Sequence, residues 1–257
     1  MAKKAQVDCR DRVSGGCLNS KEQDLNWFSD LFSLDMIKNV LIIAIPALIC
    51  ITVHELAHGF TAYKLGDNTA KEMGRLTLNP IRHIDIIGLL MIIAVGFGWA
   101  KPVPVNMDNF KHPKAYMAVT SLAGPLSNLI LAVIVLLIFM LIPEPSGGIT
   151  GLWHIIQGDA SVLTSMIFRL AMINIALAFF NLIPIPPLDG SKVLFSLLPE
   201  KQYYFLMRYE RYGMILLVML ILSGILFDFD IFGVIITRPV IVTLNGIIEF
   251  WHGIIPV

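Results

Sequence analysis

VLIIAIPALICITVHELAHGFTAY, residues 40–63, decides the architecture, because it holds an HExxH motif inside an apolar run rather than beside one. Val40 to Val53 carries no charge, and the helical pattern continues through Tyr63 until Lys64 and Gly66-Asp67-Asn68 stop it. On a helix, His54 and His58 fall at i and i+4 on one face. Two imidazoles then reach one metal ion, and Glu55 stands beside it to activate a water. The plain alternative is a pair of polar-face histidines on a surface helix. A helix this apolar has little soluble surface on which to present them.

Composition points to a membrane independently of the motif. Hydrophobic residues make up 56% of the 257 and charged residues 15%, against about 25% charged in soluble domains. Net charge is zero, so no basic or acidic excess argues for nucleic acid as a partner. Cys9, Cys17 and Cys50 form neither a CxxC pair nor an even framework, which reads as free or buried thiols rather than a disulfide scaffold. Residues 1–35 are polar and mixed in charge, with no apolar core and small-residue cleavage site. They read as a loosely ordered extension.

Apolar segments stand at about 36–63, 84–98, 115–142, 163–185 and 207–227, with a weaker one at 231–256. At about 20 residues per span, four of these can cross a bilayer, while 84–98 is short and interrupted by glycine, as a re-entrant element would be. Lys and Arg cluster in 64–83, 99–114 and 189–212 and are missing from Ala115 to Phe168. The positive-inside tendency puts those three loops on the cytoplasmic side and 143–162 outside. The expected fold is an all-α polytopic membrane protein of about five to six membrane helices, with a short re-entrant or β-like loop between the first and second full spans. It comprises the extension at 1–35, a core at 36–227 and an amphipathic or membrane-associated helix at 228–257.

A catalytic zinc site needs three protein ligands and an open position, so two histidines are one short. Positions three and six after His58 are Thr61 and Lys64, which excludes a third histidine on the same helix in the metzincin manner. The best donor is Asp189 in Asn181-Leu-Ile-Pro-Ile-Pro-Pro-Leu-Asp189-Gly190, at the end of an apolar span where an ionised carboxylate is costly unless it meets a cation. Pro184, Pro186 and Pro187 break the helix and let the chain turn that carboxylate inward. An ordinary Asp-Gly turn at a helix end is the competing reading, and the HExxH motif reverses the preference. With the first span starting near Val40, His54 lies about 21 Å along a hydrocarbon core of roughly 30 Å. Asp189 ends a span running the same way, so both groups converge just inside the cytoplasmic face.

With these two motifs the chain resembles the site-2 protease family, intramembrane zinc metalloproteases of peptidase family M50. HExxH in one membrane helix and N-x-x-P-x-P-x-L-D-G in a later one both stand here, the second as Asn181 to Gly190. GRLTLNPIRHIDIIG (74–88), GFGWAKPVPVN (96–106) and AGPLSN (123–128) also look like the compact prokaryotic branch, and no stretch is long enough for a PDZ-like or CBS-like domain. The resemblance covers residues 40 to about 225. It implies one zinc ion per chain held by His54, His58 and Asp189, Glu55 as general base, and hydrolysis of a transmembrane segment of another protein. It also implies that Asn181 helps hold the substrate backbone, and that Gly96-Phe97-Gly98 belongs to a membrane-associated β-like loop that pairs with the extended substrate. From the residues alone, 96–106 reads as a loop, since its alternation is poor and Pro102 and Pro104 remove donors. The implied location is a multi-pass position in the cell (inner or plasma) membrane.

Asn128 and Asn174 are intramembrane amides that either contact substrate or bond helix to helix. His83, His112 and His154 are expected at the surface or the membrane interface, and Arg82 and Asp85 at the membrane boundary. A zinc transporter would need a polar path through several spans, and a silent adaptor would lack the general base that Glu55 provides. In 231–255, Arg238, Asn245, Glu249 and His252 fall within roughly 60° of one another on a helical wheel. Such a helix either lies in the membrane interface or turns its stripe toward the bundle. Pro239 argues for a bend or a start there.

Overall fold

The computed structural model describes residues 34–88, 99–142, 154–158, 160–227 and 231–254. The expectations for residues 1–33, with Cys9 and Cys17, and for the glycine pair Gly96 and Gly98, lie outside the described residues. The chain divides into two units, Met1–Leu41 and Ile42–Val257, and of the first the structure describes the opening turns of one helix.

Among the described residues all regular structure is helical. Helix α1 runs Leu34–Lys64 and short α2 Thr69–Glu72; α3 runs Pro113–Leu141, α4 Val162–Leu182, α5 Asp189–Ser196, α6 Glu200–Phe227 and α7 Ile231–Ile254. Among the described residues three stretches are long and apolar enough to cross a membrane: Val40–Lys64, Pro113–Leu141 and Val162–Leu182. The end of α1 is where the sequence puts it: Lys64 is its last residue, and Gly66 follows with φ 110°, a conformation only glycine takes readily.

Helices α3 and α4 form the central pair. Ala132, Val135 and Leu136 of α3 pack against Ala171 and Ile175 of α4, with Val240 of α7 completing the cluster. The alanines are fully buried, and small residues there let the backbones approach where apolar burial gives little drive in lipid. Cys50 of α1 is also buried, its thiol turned to the Leu170 carbonyl at 3.7 Å, in keeping with a structural thiol.

The three basic loops meet at one end of the bundle. Arg75 donates to the carbonyls of Lys101 and Pro102, Asp67 accepts from the Asn106 amide, and Lys114 reaches the Leu198 carbonyl. Asp67 is fully buried and takes four hydrogen bonds, from the amides of Thr69 and Asn106, the Thr69 hydroxyl and the Asn109 side chain. Burial raises its pKa, but these donors outweigh burial and hold the carboxyl below its ordinary value.

Two expectations need correction. His83 is buried at 1% exposure rather than lying at the surface, because its Nε2 bonds the Thr77 carbonyl at 2.9 Å inside the 74–83 turn. Pro239 does not start a helix: α7 passes through it. Val240, Ile236, Leu244 and Trp251 of α7 face α3 and α4, while Arg238, Asn245 and Glu249 are exposed. The polar stripe therefore does not turn toward the bundle, since the apolar face is the one with partners to bury against.

Candidate metal centre

Helix α1 presents His54 and His58 one turn apart toward the α3–α4 side, and the break after α4 brings Asp189 to them. Helix α4 stops at Leu182; residues 183–188 cross as turns, and Asp189 opens α5. The carboxylate thus comes from a helix N-terminus, where the backbone dipole favours negative charge, rather than from an extended loop. The ligand atoms form a compact triangle: His54 Nε2 and His58 Nε2 are 3.0 Å apart, and Asp189 Oδ2 is 3.2 Å from each. Among the described residues these three are the group that could hold a metal ion, and all are buried.

The triangle fits zinc. Tetrahedral zinc with bonds of about 2.0–2.2 Å holds its ligand atoms about 3.3–3.5 Å apart, slightly wider than the edges seen here. The donor set points the same way. His58 Nδ1 sits 2.7 Å from the Thr120 carbonyl, so it carries the proton and leaves Nε2 as a bare lone pair aimed at two other acceptors. Three converging lone pairs repel unless a cation joins them. His54 needs a similar partner at Nδ1, and Asn128 supplies it: its amide lies 3.2 Å away, with Nδ2 facing the ring and Oδ1 buried without a partner. Turning the amide over puts Oδ1 on the Nδ1–H and removes the orphan acceptor.

Electrostatics around the triangle are consistent. Burial raises the Asp189 pKa, and only positive charge at the triangle, carried by the imidazoles where a metal ion would otherwise supply it, reverses this. Lys192, one turn along α5, pairs with Glu210 of α6 at 3.2 Å. Burial would strip its proton, yet Glu210, with help from Asp189 and Glu55, holds its pKa above the ordinary value. Glu55 sits beside the triangle and accepts the Val103 amide at 2.7 Å.

These groups line one cavity of about 520 Å3, shared by His54, Glu55, His58, Asn181, Asp189 and Lys192. Asn181 lies on its wall, with its side-chain amide donating to the Leu177 carbonyl at 3.0 Å. Asn128 is fully buried against His54, and Asn174, also fully buried, turns its amide to the Leu170 carbonyl of its own helix. His112 is exposed at the start of α3, and neither it nor His83 belongs to the triangle.

Four supporting features escape a reading of the motifs: the Thr120 carbonyl, the Val103 amide, the Lys192–Glu210 pair and Gly124. A Cβ at Gly124 would lie 2.5 Å from His58 Cε1 and 2.6 Å from His54 Cε1, so any larger residue would displace the ligand rings. Only the AGPLSN stretch hinted at this, without saying what the glycine faces.

Comparison with known proteins agrees with the geometry. "Putative zinc metalloprotease YwhC" of Bacillus subtilis is 41% identical over 181 residues, 70% of this chain and 80% of its own length. Two mycobacterial proteins with the same description and the name Rip2 are 29% identical (Mycolicibacterium smegmatis) and 30% identical (Mycobacterium tuberculosis H37Rv), each over 180 residues. In both cases the match covers 68% of this chain and 64% of the relative. No solved structure matches at a significant level. The model of Peptidase family M50 matches residues 41–224, a stretch that holds both motifs and all three sides of the metal triangle, and the chain belongs to that family.

Proposed function

We propose that the protein is an intramembrane zinc metalloprotease of the cell membrane, hydrolysing peptide bonds within or near transmembrane segments of other proteins. One observation carries this reading: His54 and Glu55, Thr120, and Asn181, from the three membrane-compatible helices, open onto the same cavity as Asp189. A hydrolytic centre walled by such helices acts on chains that lie among them. The three basic loops gather at the end of the bundle that carries Asp189 and Val103, which supports a centre near the cytoplasmic face.

One zinc ion, held by His54, His58 and Asp189, would supply a Lewis acid and an acidified water. Thr120 and Asn128 fix the imidazole tautomers. Glu55 takes up the water proton and returns it to the leaving amine. Asn181 lies on the cavity wall, which supports a role for it in bonding substrate backbone, as a peptide in lipid requires once its helix is opened. Gly96 and Gly98 are assigned to the same task on the resemblance alone, whereas Asn128, fully buried against His54, serves that ligand rather than the substrate. A transporter would need further metal-binding groups along a path, and among the described residues the triangle is the group found.

The test is cleavage mapping. Purified zinc-loaded protein is mixed in detergent with a labelled single-span protein, and the new termini are read by mass spectrometry. Cleavage inside the span or at its edge is expected, abolished by chelation and restored by zinc. Cleavage confined to soluble flanks, or indifferent to chelation, would overturn the reading.

Helix α7 belongs to the same reading as a helix lying in the membrane interface, its apolar face on α3 and α4 and its stripe toward the headgroups. Cysteines at Ile235, Val242 and Ile248 should label about equally from water. Protection peaking at Val242 would make α7 a full span instead.

A further inference from the structure

Pro102-Val103-Pro104 lies along the catalytic cavity with a feature its sequence makes unusual. Prolines have no N–H, so across these three residues the Val103 amide is the one backbone donor, and it is directed at Oε2 of Glu55 from 2.7 Å. The segment has little freedom to aim elsewhere. Each residue before a proline is restricted to extended backbone, which applies to Lys101 and to Val103 itself.

Both ends of the segment are pinned by buried ionic side chains. At the near end Arg75, 6% exposed, donates to the Lys101 carbonyl at 2.7 Å and the Pro102 carbonyl at 3.2 Å, and also to the carbonyl of Arg82. At the far end Asp67 accepts from the Asn106 amide and the Asn109 side chain, each at 2.7 Å. Asp67 lies three residues beyond the end of α1, the helix that carries Glu55, so the segment is registered to the same helix it serves. The fit against α1 depends on Gly59, one turn beyond Glu55. A Cβ there would meet Val103 Cγ1 at 2.9 Å and Leu76 Cδ2 at 2.7 Å. With hydrogen at that position, the Val103 side chain lies on the helix and its amide comes level with the glutamate.

We propose that Lys101–Asn106 is a bracket for the general base: the Val103 N–H holds one carboxylate oxygen of Glu55 and thereby presents the other to the reacting centre. A carboxylate on a three-torsion side chain otherwise samples several rotamers, and a base is effective only within hydrogen-bond reach of the proton it takes. Val103 is thus a positioning residue that acts through Glu55. This rests on Glu55 being the base of a peptidase, so the test has one arm that reads the contact and another that reads turnover.

The first arm uses protein labelled with 15N-valine, in detergent micelles with zinc. The Val103 amide proton should be shifted downfield and protected from exchange in the wild type. In Glu55→Ala it should move upfield and exchange faster. The second arm replaces Val103 by its α-hydroxy acid through nonsense suppression, which changes the amide to an ester, removes the donor and keeps the side chain; valine inserted at the same codon is the reference. Turnover of a labelled single-span protein should fall about 10- to 100-fold in kcat, the range that misplacing a reacting group produces, with KM and zinc content unchanged.

An amide unmoved by Glu55→Ala, or an ester variant turning over at the reference rate, would overturn the bracket, and so would a loss that appears in KM or zinc content instead of kcat. If the reference protein cleaves nothing while the amide still answers to Glu55→Ala, the peptidase reading fails and the contact stands.

Discussion

Glu55→Gln is expected to keep its fold and a full complement of zinc yet lose proteolysis by on the order of 10²–10⁴-fold, the contribution of a positioned general base. The structure makes this substitution clean. Glutamine keeps the length and shape of glutamate, and its side-chain oxygen can still accept the Val103 amide that glutamate accepts at 2.7 Å. The metal triangle contains no atom of Glu55, so its 3.0–3.2 Å edges are untouched. What changes is basicity, because an amide takes no proton from water at neutral pH. The measurements are metal content by plasma emission spectroscopy, thermal unfolding in detergent, and turnover of a single-span substrate. Turnover at the wild-type rate would remove Glu55 from the role assigned to it.

Asp189→Ala is expected to lose metal and activity together. Apparent binding of zinc to four-ligand sites is worth about 10–16 kcal/mol, so one ligand accounts for about 3 kcal/mol and its loss for on the order of 10²-fold in affinity. The buried setting adds to this, since His54 and His58 are left with converging lone pairs and nothing anionic to offset the cation. His112→Ala provides the contrast, because His112 is exposed and outside the triangle. Its metal stoichiometry should stay near one. Normal zinc content in Asp189→Ala with a loss in His112→Ala would mean that the third ligand is misassigned.

Much of the site was legible because local periodicity and chemistry carry it. An i, i+4 pair on a helix faces one way whatever the tertiary structure, so His54 and His58 follow from HExxH, and the end of α1 follows from Lys64 and Gly66. Asp189 was legible for an energetic reason: a carboxylate closing an apolar span needs a cation, and the only metal-binding motif in the chain supplied one. His83 was misplaced because nothing local distinguishes an interfacial histidine from one folded over a turn to meet the Thr77 carbonyl.

The sequence by itself therefore determined the helical membrane-compatible character and singled out His54, His58, Asp189 and Glu55, each written in spacing or in the cost of burying charge. Tertiary structure alone decided the support: the Thr120 carbonyl on His58, the Asn128 amide on His54, Gly124 clearing space for both rings, and Val103 reaching Glu55 across 48 positions. Backbone groups are the same in every residue, and a glycine does not announce which neighbour needs its missing side chain. These contacts exist only once α1, α3 and the 101–106 segment are packed together, and no periodicity in one element encodes its partner in another.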